Sequence, residues 1–164
     1  MFSRVSTCGL IGLDGFHIQV ETDISNGIPA FDIVGLADTA VKEARERVKA
    51  AIKNSGFEYP VKRITVNLAP ADTRKEGSGF DLPIAISILV SEGMIPQNAV
   101  DGYMIVGELA LDGSIRHASG MLCKAIAAME LGFRKLMVPY ENVNEVSVVK
   151  GIEIYPVKTL KEVA

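Results

Sequence analysis

RITVNLAPADTRKEGSGFDLPIAISILV, residues 63–90, holds the change of period that decides the fold. Its first part, extended by Lys62 to KRITVNL, is rich in β-branched residues and reads as a buried strand. Its last part, Ile84 to Val90, carries no charge and reads as a helix that is central and buried on most sides. Pro70, Asp72, Arg74, Lys75, Glu76, Gly77 and Gly79 lie in the loop between. Asp81 is placed to cap the helix, and Pro83 falls in its first turn, where a missing N–H costs nothing. Gly77 and Gly79 then make a tight strand-to-helix turn.

Outward from this stretch, strands and helices mix. STCGLIGL and FHIQVETDI flank Asp14-Gly15 and predict a hairpin over residues 3–24. SNGIPA is a loop and FDIVGL a short strand. Asp38 or Thr39 starts a helix to about Asn54, with Val41, Ala44, Val48, Ala51 and Ile52 as its apolar stripe and Gly56 as its stop. GYMIVGELAL and SIRHA flank Asp112-Gly113 and predict a second hairpin. Residues 120–131 form a helix closed by Gly132. RKLMVP is a strand, NVNEVSVV a short helix and IEIYPV a last strand. The expected fold class is α+β, a mixed-sheet sandwich with hairpins and packed helices.

The 164 residues suffice for a single domain, 1–164, with a real core. The closing YPVKTLKEVA reads as the start of a helix cut short, so a longer parent chain is expected. The longest apolar run, residues 82–90, is too short to span a bilayer, and Gly9, Gly12 and Asp14 interrupt any leader-like core. Cys8 and Cys123 stand far apart in apolar segments; two buried free thiols are expected, which fits a cytoplasmic location. His17 and His117 have no metal-ligand spacing, so no metal site and no cofactor are expected in this chain.

Three kinds of chemistry compete for the loop. A phosphate cradle of the P-loop type needs Gly-Lys, and the chain contains no such dipeptide. A nucleophilic reading takes Ser78, close to the helix start, with a lysine as base. Lys124 is the candidate, being the only positive charge in MLCKAIAAMEL; the alternative is a lysine that snorkels to solvent. The third reading is a structural connection.

VGELALDGSIRHASGMLCKAIAAMELGFRKLMVP, residues 106–139, resembles the protease domain of the Lon family. The resemblance implies that Lys124 falls on the catalytic lysine. Aligning the preceding helix without a gap puts Phe80 at the serine position, with Ser78 two residues early. The Lon fold with half a dyad is therefore implied, with Lys124 and Ser78 as degenerate candidates. Residues 24–86 are more closely similar to the N-terminal domain of ComM/YifB-type, Mg-chelatase-like AAA+ ATPases. SNG-P, VGL, VKEAR-RV--AI-NSG, NLAPAD, KEG and DLPIAI carry this resemblance, and VGELAL follows in order. It implies an accessory domain beside its own AAA+ module, which would bind ATP and Mg. The implied whole is a hexameric DNA helicase for branch migration in natural transformation. A Ser–Lys peptidase with a shifted serine and a regulatory module of a metal chelatase are the alternatives.

Net charge is −3, so no global basic field attracts nucleic acid. A local stripe remains. Lys42, Arg45, Lys49 and Lys53 recur at helical spacing, with Arg63, Arg74 and Lys75 on or beside the next strand and loop. Such a stripe suits phosphate contacts or a subunit interface. Glu43 and Glu46 interrupt it, and no aromatic residue interleaves with it in sequence.

Overall fold

The computed structural model describes residues 1–163. Strands β1 (Phe2–Ile11) and β2 (Asp14–Ser25) form the first hairpin. Its turn is Gly12-Leu13, not the predicted Asp14-Gly15: Ile11 still pairs with Asp14, and Gly12 takes the left-handed φ of +63°. Gly15 is needed elsewhere, as described below. β3 (Ala30–Val34) is followed by α1 (Thr39–Lys42) and α2 (Ala44–Asn54). Asp38 caps α1, its carboxylate accepting the Val41 N–H at 2.7 Å. The single helix expected here is broken at Glu43. Arg45 Nε donates to the Lys42 carbonyl, and the Glu46 N–H turns to Glu43 in a tighter i→i+3 bond.

β4 (Arg63–Ala69) leads through the loop to α3 (Asp81–Ser91), every residue of which is buried. α4 (Gln97–Val100), which the sequence pattern did not suggest, precedes β5 (Tyr103–Ile105). The second hairpin is smaller than predicted and reduces to β6 (Glu108–Leu109) and β7 (Ile115–Arg116), because β5 joins the main sheet instead. α5 (Met121–Glu130), β8 (Lys135–Pro139), a 3-10 turn at Tyr140–Asn142, α6 (Val143–Val146), β9 (Glu153–Val157) and α7 (Leu160–Val163) complete the chain.

Among the described residues seven strands form one mixed sheet, in the order β3-β4-β2-β1-β5-β8-β9. β1 with β2 and β2 with β4 run antiparallel; the other pairs are parallel. Alternation along the strands splits the core into two layers. Val5, Ile18, Val20, Ile64, Val66 and Ile105 pack with α2 and α3. Cys8, Met104, Leu136 and Val138 turn the other way, onto α5 and α6.

Beyond Asp81, α3 is apolar except where it meets the hairpin. There Ser87 Oγ lies 2.6 Å from Thr22 Oγ1, Ser3 Oγ donates to the Ser87 carbonyl, and Ser91 Oγ donates to Ser3 Oγ at 2.7 Å. The buried hydroxyls thus satisfy one another and set the helix on the sheet. On the opposite face α5 crosses at Gly15. A Cβ there would stand 2.3 Å from Ala127 Cβ, so the glycine is a packing requirement.

Candidate functional site

The loop after β4 and the start of α5 face each other across a cleft of about 460 Å³. Gly77, Ser78, Gly79 and Phe80 form one wall, Ser119, Gly120 and Lys124 the other. Gly9 and Leu10 of β1 also line it, and Asp38 and Glu76 bring carboxylates to it.

Each wall has a local cause. Gly77 has φ +93°, a conformation glycine adopts without penalty. Gly79 is limited by space, since a Cβ would lie 3.2 Å from both Lys124 Nζ and Val106 Cγ1. Its carbonyl accepts the Gly107 N–H at 3.0 Å, and the Gly107 carbonyl accepts the Leu82 N–H at 3.0 Å. These bonds fasten the loop and the start of α3 to the strand beside them.

Lys75, expected on the surface, is 1% exposed and serves inside the fold. Its ammonium donates to the carbonyls of Gly35, at 2.7 Å, and of Pro70. Its backbone bonds to Leu36 and Asp38. Burial holds the Lys75 pKa below the usual lysine value, with Asp72 acting against it. Lys75 is therefore a staple between two loops, unable to reach a nucleic-acid phosphate.

Asp81 also departs from its expected role. Phe80 occupies the helix cap position without a side-chain hydrogen bond, and Asp81 is the first helical residue. Its fully buried carboxylate receives Arg47 Nε at 2.6 Å, Arg47 Nη2 at 3.0 Å and the Leu109 N–H at 3.0 Å. Burial pushes the Asp81 carboxyl up, against the pull of these three bonds. The hydrogen bond that Arg47 donates to Asp81 is the main cause that raises the Arg47 pKa. Asp81 is thus the centre of a buried, two-pronged ion pair that ties α2, α3 and β6 together.

Ser78 and Lys124, 46 residues apart in the chain, do line the same cleft. Lys124 is only 9% exposed. Among the described residues its ammonium forms no hydrogen bond or ion pair with another protein group, Ser78 included. Burial lowers its pKa, offset in part by Cys8, and burial raises the Cys8 thiol. A buried amine binds an anion while it carries its proton, and can act as a base once it has lost it. Phe80, at the position where the Lon resemblance expects a serine, is buried and has no nucleophile.

The basic stripe resolves into parts. Arg45, Lys49 and Lys53 line a second cleft of about 420 Å³, together with Glu46, Tyr59 and Lys62. Lys49 and Lys53 hold their ammonium groups 5.7 and 5.9 Å from the Tyr59 ring centre. Tyr59 is pushed up to about 12, first by burial and then by Glu46. An aromatic ring does therefore accompany the stripe. It comes from the Gly56–Lys62 connection, which doubles back along α2 before β4. The short, Gly- and Pro-marked connection is the sequence signal for that return. Lys42 is exposed outside this cleft, and Arg74 pairs with Glu76 at 3.3 Å on the surface.

A family model described as "Subunit ChlI of Mg-chelatase" matches residues 20–142. The chain belongs to the Mg-chelatase ChlI family. Both the Gly77–Phe80 loop and Lys124 lie inside the matched region. Relatives agree with the assignment. YifB of Escherichia coli K12 is 48% identical over 91% of the chain, and the competence protein ComM of Haemophilus influenzae is 42% identical over 99%. These alignments cover 29% and 31% of the relatives, so this ChlI-family chain spans less than a third of their length. The archaeal Lon protease of Methanocaldococcus jannaschii is 27% identical over 86% of the chain, a more distant likeness that accompanies the mixed sheet. No helix among the described residues is long and apolar enough to cross a membrane.

Proposed function

We propose that this chain is the non-catalytic N-terminal domain of a Mg-chelatase-like AAA+ ATPase of the ComM type. In this reading ATP and Mg bind the parent protein's own AAA+ module, the parent assembles as a cytoplasmic hexamer, and it moves DNA branches during natural transformation. The observation that carries the reading is the coverage. Relatives 42–48% identical to the chain are more than three times its aligned length. The domain's part is assembly or DNA engagement, and Arg45, Lys49 and Lys53 beside Tyr59 supply a groove of the right sign for a phosphate backbone.

The test replaces Arg45, Lys49 and Lys53 by Glu in the full-length protein and follows DNA binding against salt. Affinity should fall, and the log–log salt slope should shrink by about 2–3 if three phosphate contacts are lost on duplex DNA. Unchanged affinity and slope would reject DNA engagement by this groove.

One observation favours a second reading, a Ser–Lys peptidase with a shifted serine: Ser78 and Lys124 share a cleft. That reading requires cleavage of an unfolded protein substrate that disappears in both Lys124→Ala and Ser78→Ala. Lack of cleavage, or cleavage surviving either change, rejects it.

A further inference from the structure

The Lys124 cleft brings an ammonium and an uncapped helix start together, with the Asp38 and Glu76 carboxylates elsewhere on its lining. α5 begins after Gly120, which has no side chain to cap it, and no acidic residue stands in its first turn. Among the described residues the N–H groups of Met121, Leu122 and Cys123 donate to no protein acceptor; the Lys124 N–H reaches Gly120 at 3.1 Å. The helix dipole adds positive potential at the same end. Lys124 places an ammonium in this turn, nine-tenths buried and unpaired. Its Nζ lies at the loop wall, 3.2 Å from where a Gly79 Cβ would be.

Among the described residues no neighbouring group pairs with the ammonium directly. Asp38 is engaged in capping α1 and Glu76 in pairing with Arg74. The Cys8 thiol, pushed up by burial, is protonated at neutral pH. The Lys124 side chain and the Gly120 end of this uncapped helix line one cleft, and together they can meet an anion.

We propose that this cleft binds the carboxylate of a peptide segment, held by Lys124 Nζ and the first-turn N–H groups of α5. A carboxylate fits better than a phosphate. There is one ammonium to meet it, and the Asp38 and Glu76 carboxylates on the cleft repel a dianion or a nucleic-acid backbone. Leu10 gives the cleft apolar wall for a side chain of a peptide. The site is separate from the basic groove on α2. It rests on the non-catalytic reading in one respect, that the bound peptide stays intact.

The test titrates the chain with acetyl-Ala-Leu-Leu as the free acid, the same peptide as its amide, amide-capped acetyl-Ala-Glu-Leu, and inorganic phosphate. Amide shifts of residues 120–124 and the Lys124 side-chain signal report the site. At least one carboxylate peptide should bind at these signals, at least about tenfold tighter than the amide. The free acid tells a chain terminus, and the Glu peptide a side chain, as the source. Lys124→Met should weaken binding by at least about tenfold while the protein stays folded, since it removes an unpaired buried charge. Glu76→Gln, on an exposed residue, should tighten it about two- to threefold. Equal binding of acid and amide, tighter binding of phosphate, or indifference to Lys124→Met overturns the site and leaves the accessory-domain reading standing. Peptides recovered in cleaved form overturn the non-catalytic reading as well.

Discussion

Asp81 and Lys124 are buried in opposite circumstances, and pH separates them. Asp81 is fully buried and paired, so its partner decides its cost. Arg47→Met leaves that carboxylate alone and should destabilise the fold by about 3–5 kcal/mol at pH 7. Without Arg47 the folded pKa rises further above the unfolded 3.8. The folded state then binds more protons than the unfolded one, and stability falls as pH rises through that window. Chemical denaturation should therefore find a smaller deficit at pH 4 than at pH 7; an equal deficit would mean that Arg47 acts through packing alone. Lys124 is buried without a partner, and its folded pKa lies below the unfolded 10.5. Below the folded pKa both states carry the ammonium and the fold bears the full cost. Between the folded pKa and 10.5 the unfolded chain binds more protons, so stability rises with pH. Lys124→Met should be more stable than the parent at neutral pH, by about 1–3 kcal/mol. That advantage should shrink through the alkaline window, measured in a Cys8→Ala background so that the neighbouring thiol does not titrate. A constant difference would show that the amine is not desolvated.

At the scale of elements, close approach of backbone and helix fixes the geometry. Gly15 admits Ala127 of α5 onto β2, and Gly15→Ala should cost about 1–3 kcal/mol through overpacking. Ala127→Gly in the same chain removes the opposing methyl, so the double variant should regain part of the loss in a denaturation cycle. No regain would place the strain elsewhere. The same glycine explains an error in reading the sequence: Asp14-Gly15 has the composition of a hairpin turn, but the glycine is there for α5 and the chain turns at Gly12-Leu13. Helix and strand identities were legible wherever apolar spacing ran unbroken, as in α3, α5 and β4. Breaks set by single side-chain bonds were not, such as Arg45 reaching the Lys42 carbonyl and ending α1. Lys75 and Asp81 were read by type, a lysine as surface and an aspartate before a helix as a cap. Their true roles depend on the Gly35 carbonyl, 40 residues from Lys75, and the Arg47 guanidinium, 34 residues from Asp81. Local pattern carries no such signal.

Across the whole molecule the sheet order is the part least visible in the sequence, because β5 inserts beside β1 over a long separation. That order has consequences for where stability resides. β1, β2 and β4 are each paired on both sides, and α3 lies over the hairpin with all its residues buried. β9 is an edge strand with only Val157 buried, and α6 buries only Val146. The segment after β9 is held by a few backbone bonds, such as Ile115 N–H to the Lys158 carbonyl at 2.7 Å and Leu160 N–H to the Gly113 carbonyl at 2.8 Å. Amides in α3 and β2 should therefore exchange only through global unfolding, while those of β9 and α6 open in a smaller, cheaper step. Native-state hydrogen exchange in rising denaturant reads this directly. The β9 and α6 amides should show lower opening free energies that merge with those of α3 only near the transition. Equal protection from the outset would mean that the parallel strands and the hairpin unfold as one cooperative unit. The cleft walls belong to different parts of this hierarchy, the Gly77–Phe80 loop leading into α3 and Lys124 on α5 over the opposite face. A peptide bound between them should raise the opening free energy of α3, which exchanges through global unfolding, by the full binding increment, and that of α5 equally if opening α5 releases the peptide. Protection gained at neither would mean that the peptide does not bind the folded chain.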